Sequence, residues 1–136
     1  MVRLKRSRRG TALVEMAFLL PILVLVLFGM IEYGGLFWRA SQIESVARTG
    51  ARTGALSGGT AAAVNTAVST LMTSAGLGST GYTVTLTPPD PGALAAGTSF
   101  SVSISVPYST ITLTGCPLVP VPTTLVRAST MAKEGS

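Results

Sequence analysis

A continuous apolar run from Thr11 to Ile31 constrains the fold of this chain more than any other feature. A helix of these 21 residues, rising about 1.5 Å per residue, spans a hydrocarbon core of about 30 Å. Thirteen of the residues from Leu13 to Ile31 are Leu, Ile, Val or Phe, and together they favour insertion by roughly 4–8 kcal/mol. We therefore predict one transmembrane helix, in which Pro21 is tolerated but should kink or loosen one turn.

Glu15 is the only ionisable side chain in this run. A carboxylate costs about 2.5–3.5 kcal/mol near the bilayer centre and less towards an edge, so its position indicates a role with a partner. The alternative is a hydrated carboxylate at headgroup depth. Basic residues before the run predict a cytoplasmic N-terminus and an extracytoplasmic C-terminal region, because flanking Lys and Arg set orientation. They are Arg3, Lys5, Arg6, Arg8 and Arg9.

Three familiar kinds of N-terminal segment compete for this region. A cleaved secretory signal has an apolar core of about 7–15 residues followed by an A-x-A-like site, and residues 32–36 contain no such site. A twin-arginine signal could include Arg8 and Arg9, but residues 10–12 continue it poorly. A plain signal anchor accounts for every feature except Glu15.

The spacing of residues around Gly10 indicates a fourth interpretation. Gly10 directly precedes the span, and Glu15 is the fifth residue after it, as in the type III signal of prepilins. This spacing belongs to the first of four blocks that follow in order and register: RGTALVE at 9–15, LP at 20–21, FGMIEYG at 28–34 and ARTGAR at 47–52. Together they resemble the TadE-like minor pilins (pseudopilins) of tight-adherence (Tad) pili. One departure is Met16, where relatives often have an aromatic residue.

This resemblance implies a processing site, partners and a location. A prepilin peptidase would cleave between Gly10 and Thr11 on the cytoplasmic side, and Glu15 would pair with the free N-terminus of an adjacent subunit. The implied partners are the bilayer, the peptidase, other pilin or pseudopilin subunits and the pilus assembly platform. The implied location is the bacterial inner membrane, with incorporation into an extracellular pilus as a further possibility. The competing hypothesis from the residues is a membrane-anchored envelope module that binds a protein partner and is unrelated to pili.

The composition argues against an enzyme. The chain has no His and five acidic residues, which offer no convincing general acid/base pair and no metal cluster. We therefore expect no cofactor, no metal and no small-molecule substrate. Cys116 is the only cysteine, and we interpret it as a small buried thiol. Half of the ten basic residues precede Gly10, so the net charge of +5 reflects topology and does not predict nucleic-acid binding.

Beyond the membrane we expect the helix to continue to about Leu56. Small and apolar residues recur in it at helical spacing: Ile43, Val46, Ala47, Gly50, Ala51 and Gly54. This stripe could approach the domain's own sheet or a neighbouring helix. Glu44 and Arg48 are spaced for an ion pair on the helix surface. A second helix should start after Thr60, as its N-cap, and end near Gly76, with its buried face on Val64, Val68, Leu71 and Met72.

The remaining sequence changes to a period of two, which is typical of strands. Alternation predicts strands over 82–87, 99–106 and 125–132, with a short strand at Ile111 and Leu113 as an option. Prolines force a loop at 88–92 and exclude an interior strand at 116–122. The expected fold is α+β and pseudopilin-like: a long membrane helix, a short helix and three or four antiparallel strands. The expected division is 1–10 leader, 11–31 span, 32–57 helix extension and 58–136 extracytoplasmic domain.

Overall fold

The computed structural model describes residues 9–115 and 118–135. The apolar run and its extension form one helix, α1, over Arg9–Ala55. The helix remains continuous through Pro21, whose missing N–H leaves the Ala17 carbonyl without its intrahelical donor. Arg3, Lys5, Arg6, Arg8 and the predicted buried thiol of Cys116 lie outside the described residues.

The second helix, α2, spans Ala61–Ser74 and follows the predicted capping chemistry. The Thr60 side chain accepts a hydrogen bond from the Ala63 N–H at 3.2 Å, satisfying one of the free donors of the first turn. After the helix, Gly76 has a φ of 71°, a conformation that favours glycine. The expected start and end of this helix are therefore confirmed to within two residues.

Three strands form an antiparallel sheet in the order β1-β2-β3. They are β1 at Thr83–Thr87, β2 at Ser99–Pro107 and β3 at Thr124–Ala132. The apolar residues of β2 are fully buried while its serines face outward, as the alternation predicts. The fold class is thus confirmed as α+β.

The optional short strand at Ile111 and Leu113 is not formed. A 3-10 turn covers Tyr108–Thr110 instead, and the Ile111 and Thr112 N–H groups both bond to the Tyr108 carbonyl. These local bonds use the backbone groups that a strand would offer to a neighbour. The connection between β2 and β3 therefore loops back towards α1 without joining the sheet.

The small-residue stripe of α1 packs within its own domain. β2, β3 and α2 all pack directly on α1. A Cβ added at Gly54 would lie 2.2 Å from Phe100 Cε1, and one at Gly50 would lie 2.9 Å from Val68 Cγ2 and 3.5 Å from Val102 Cγ1. Side chains of the sheet and of α2 thus converge on the glycines of α1, which resolves the choice that the sequence left open.

The last described residues close the end of α1. The Lys133 ammonium is buried and donates to the carbonyls of Gly54 and Leu56 at 3.1 and 2.7 Å. The Glu134 N–H donates to the Ala55 carbonyl at 2.8 Å. The C-terminal carbonyls of a helix have no intrahelical partner and carry partial negative charge. The Lys133 ammonium and the Glu134 N–H, which follow β3, supply hydrogen bonds to these carbonyls. They thereby attach the C-terminal segment to the end of α1.

Candidate assembly and membrane-facing sites

The first part of α1 projects from the domain with its side chains exposed. Of residues 10–31, Gly29 is half-buried and all others are exposed. Within the described residues, α1 is the one helix long and apolar enough to cross a membrane; its most apolar stretch has a mean hydropathy of 2.6 and no buried residues. An all-round apolar surface is typical of a helix that meets lipid or other helices rather than water. This segment is the candidate membrane and assembly surface.

The predicted processing and pairing residues lie in the first two turns of α1. Gly10 and Thr11 are its second and third residues, and both are exposed. Glu15 lies one turn beyond Thr11 on the same helix face. Among the residues that the structure describes, Glu15 has no hydrogen bond or ion pair. The structure therefore places the three residues together, on a surface that the domain does not cover.

A second polar site lies where α1 leaves the apolar run. Glu32 is 2% exposed and is the acceptor for five donors from the β2–β3 connection. Its Oε1 accepts from the Tyr108 hydroxyl, from Thr112 Oγ1 at 2.6 Å and from the Leu113 N–H at 3.3 Å. Its Oε2 accepts from the Thr114 N–H at 2.8 Å and from Thr114 Oγ1 at 2.5 Å. A carboxylate offers about four lone-pair sites, so these donors saturate it.

Hydrogen bonds keep the Glu32 carboxylate ionised despite its burial. Burial alone raises the pKa of this carboxyl, but the hydroxyls of Thr112, Thr114 and Tyr108 and the Thr114 N–H together lower the pKa to about 2. Burial and the neighbouring negative charge raise the pKa of Tyr108 to about 12, so it remains a donor. The Glu32 carboxylate is thus an anion whose acceptor positions are all used by donors of its own chain. It fixes the β2–β3 connection on α1 and has no acceptor position left for a ligand.

A cavity of about 620 Å³ lies beside this carboxylate. Its lining includes Glu32, Tyr108, Val119 and Pro120. The later part of the β2–β3 connection is also bonded to α1, because the Tyr33 hydroxyl donates to the Pro120 carbonyl at 2.6 Å. Two adjacent residues of α1 thus hold a segment about 80 residues later in the chain.

Glu32 is one of the five acidic residues of the sequence, and the sequence predicted no role for it. Its one distinguishing signal was its place in the FGMIEYG block, directly after the apolar run. Its hydrogen-bond donors come from positions 108–114, and no sequence pattern there indicates a contact with α1.

The predicted Glu44–Arg48 pair is present at 3.2 Å on the exposed face of α1. No group of three or more His, Cys, Asp or Glu that could hold a metal occurs in the described parts of the chain.

Comparison with known proteins gives a match to a protein family, and the matched residues lie in α1. A family model described as TadE-like protein matches residues 10–52. The matched region begins at the glycine before the apolar run, contains Glu15 and Glu32, and ends within the stripe that packs on the sheet. No curated protein and no solved structure matches the chain. The resemblance to TadE-like proteins predicted from the sequence is thereby confirmed for this region.

Proposed function

We propose that this chain, whose residues 10–52 match the TadE-like family, is a minor pilin that acts in the biogenesis of a Tad-type adhesive pilus. The family match is the observation that carries the proposal, since it covers both the apolar run and the helix on which the domain is built. In this role the protein is a structural subunit and not an enzyme. The bilayer, a prepilin peptidase, other pilin subunits and the assembly platform are its partners.

The proposed topology has one span, with the N-terminus in the cytoplasm and the domain outside. The basic residues before Gly10 support this orientation because Lys and Arg resist translocation. The continuous helix supports a rigid link between membrane and domain, since Glu32 and the small-residue stripe bind the domain directly to α1. The position of the domain relative to the outer leaflet would therefore be fixed.

The proposed assembly contact is made by the membrane segment. The stripe at Gly50 and Gly54 is covered by the chain's own β2 and α2, so it is not available to another helix. The exposed surface of residues 11–31 is available. Within it Glu15 is the one charged group, and an ammonium at a neighbouring subunit's Thr11 would neutralise it in the apolar phase. Such a pair would set the axial offset between adjacent helices.

The mature N-terminus tests the proposal most directly. Mass spectrometry of protein from membrane and sheared-pilus fractions should show a chain that begins at Thr11. Gly10→Ala should reduce processing, because the peptidase must fit closely around the residue before the cut. Gly29→Ala is the control: it lies elsewhere in the same helix, its added Cβ meets no atom within 4 Å, and it should leave processing unchanged. An intact Met1 or Val2 in cells with an active prepilin peptidase would reject the pilin assignment and favour an unprocessed envelope module.

A further inference from the structure

The described parts of the β2–β3 connection (108–115 and 118–123) are held at the level where α1 leaves the proposed span. Glu32 binds its first half and Tyr33 its second half. Leu113 packs on Gly35, where an added Cβ would lie 2.2 Å from Leu113 Cδ1. Because a helix rises about 1.5 Å per residue, Gly35 lies about 6 Å beyond Ile31, within a headgroup layer of about 5–7 Å per leaflet. These contacts fix the height of the connection relative to the membrane.

At this height the connection exposes apolar side chains. Leu113 is 56% exposed, Leu118 75% and Val121 40%. Apart from these three, the described residues after Trp38 include only Leu56 and Val126 as exposed large apolar side chains. No residue of 108–123 is charged. The apolar exposure of the domain is thus concentrated at the end of the span, and no charge opposes its burial.

Aromatic residues of α1 extend this surface around the helix. Phe37 and Trp38 are 70% and 67% exposed, and at 100° per residue they lie on the faces of α1 away from the Glu32 side. Aromatic side chains, Trp and Tyr above all, are enriched at the membrane–water interface because an apolar ring and a polar edge suit that layer. The surface formed by Leu113, Leu118, Val121, Phe37 and Trp38 is here called the apolar collar. The contacts at Tyr33 and Gly35 place it directly after the exposed apolar residues of the proposed span.

We propose that the apolar collar is a lipid-contact surface, in which Leu113, Leu118 and Val121 insert at the headgroup–acyl boundary of the outer leaflet. The inference rests on the proposed membrane span and adds a second contact with the same bilayer. The position of the collar directly after the span identifies lipid as the occupant, since Gly35, on which Leu113 packs, lies about 6 Å beyond Ile31, at the depth of the headgroup layer. The contact holds the extracytoplasmic domain on the membrane and restricts its tilt.

Fluorescence quenching by brominated lipids tests the proposal with the full chain. Trp38 is the only tryptophan, so Trp38→Phe provides a silent background into which one reporter is placed. Leu118→Trp reports on the collar. Ala96→Trp is the matched control, because Ala96 is also exposed and lies near Gly135, at the end of the domain where α1 stops. Phe18→Trp, at a position 74% exposed on α1, reports on the span itself.

The proteins would be reconstituted in vesicles of phosphatidylethanolamine and phosphatidylglycerol that contain a lipid brominated near the headgroup end of its acyl chains. We expect quenching of Leu118→Trp to be several-fold stronger than that of Ala96→Trp. Val121→Trp should repeat the result if Leu118→Trp does not fold, as judged by circular dichroism.

Three other outcomes of the quenching experiment would contradict the lipid-contact proposal or the membrane span on which it rests. Equal quenching of Leu118→Trp and Ala96→Trp, with Phe18→Trp quenched, would overturn the lipid-contact proposal and leave the span intact. An unquenched Phe18→Trp would reject the membrane span on which both proposals depend. Shielding of Leu118→Trp only in sheared filaments would assign the collar to a neighbouring subunit and so overturn the lipid assignment.

Discussion

At the residue scale, two carboxylates on one helix are stabilised in different ways. Glu32 is buried and accepts hydrogen bonds from five donors of its own chain. Glu15 is exposed in the apolar run, and the described part of the chain gives it no partner. The first carboxylate is therefore a fold determinant, and the second is the candidate for a contact between subunits.

We predict that Glu15→Gln preserves membrane insertion but impairs pilus assembly. Loss of one member of a buried ion pair typically costs about 3–5 kcal/mol, which is more than a hundredfold in an association constant. Insertion should improve slightly, because a charge leaves the apolar phase. Filament yield by shearing and electron microscopy, beside resistance to carbonate extraction, measures both effects. Glu44→Gln, which affects only an exposed surface pair, is the control, and normal piliation of Glu15→Gln cells would exclude an assembly role.

We predict a loss of domain stability in acid that originates at Glu32. In the folded state the pKa of the Glu32 carboxyl is lowered from its ordinary value of 4.5 to about 2. Stability from this group is therefore fully present above about pH 4.5 and is lost as the pH falls towards 2. The shift corresponds to a free energy of unfolding on the order of 3 kcal/mol. Urea unfolding of the full chain in detergent micelles, followed by near-ultraviolet circular dichroism, should show this slope. Glu32→Ala should abolish it and lower stability at neutral pH, and an unchanged slope in that variant would contradict the assignment.

At the scale of the element, α1 is one continuous helix whose first part is exposed and whose later part packs in the domain core. Residues 10–31 are exposed with Gly29 half-buried, whereas from Ala40 onward one face enters the core. Gly50 and Gly54 lie on that face, and because they have no Cβ, the side chains of Val68 and Phe100 can approach the helix backbone closely. They cost about 1 kcal/mol each in helix propensity, and the close packing that they permit offsets this cost.

We predict opposite effects for two Gly→Ala substitutions in α1. Gly54→Ala would place a Cβ 2.2 Å from Phe100 Cε1, in a fully buried site, and overpacking of this kind costs about 1–3 kcal/mol. Gly34→Ala meets no atom within 4 Å, so it should leave the domain's stability unchanged or raise it by up to about 1 kcal/mol. Thermal and urea unfolding of both variants in micelles provide the comparison. Equal stability of the two would show that the closeness of Gly54 to the sheet is not needed.

At the scale of the whole molecule, the proposed membrane span and the domain core are built from different residues. The span contributes no residue to the buried core, and the core is assembled from the later part of α1, α2 and the sheet. Glu32 and Tyr33 connect the two parts where the span ends. A defect in the core should therefore leave the anchor in place.

We predict that Ile104→Asp unfolds the domain but not the membrane anchor. Ile104 is fully buried at the centre of β2, and an unpaired charge there should cost well above the usual 0.5–3 kcal/mol of a point mutation, roughly 4 kcal/mol or more. Protease digestion should degrade the domain while carbonate extraction leaves the span in the membrane, and piliation should be lost. Thr85→Asp, on the exposed face of β1, is the control. A protease-resistant Ile104→Asp domain would show that this face of β2 is not the core.

The elements that the sequence predicted are those with a local signal. The apolar run, the Thr60 cap and the alternation of β2 are each read within a few residues, because helix and strand periods and capping depend on neighbours in the chain. The family resemblance also lies in one continuous stretch, 10–52. The optional strand at Ile111 and Leu113 was wrong because alternation over so few residues cannot compete with the 3-10 turn that precedes it.

The sequence by itself thus determined the long apolar helix, the α+β class and the core face of β2, whereas the processing and pairing roles at Gly10, Thr11 and Glu15 stay predictions. Only the tertiary structure decided which surfaces cover the glycines of α1, that Lys133 closes the end of that helix, and that Glu32 holds the β2–β3 connection. Except for Gly50 and Val68, which are 18 positions apart, these contacts join residues about 50–80 positions apart. Their partners depend on how the elements pack in three dimensions, because no period in the chain encodes a contact at that separation.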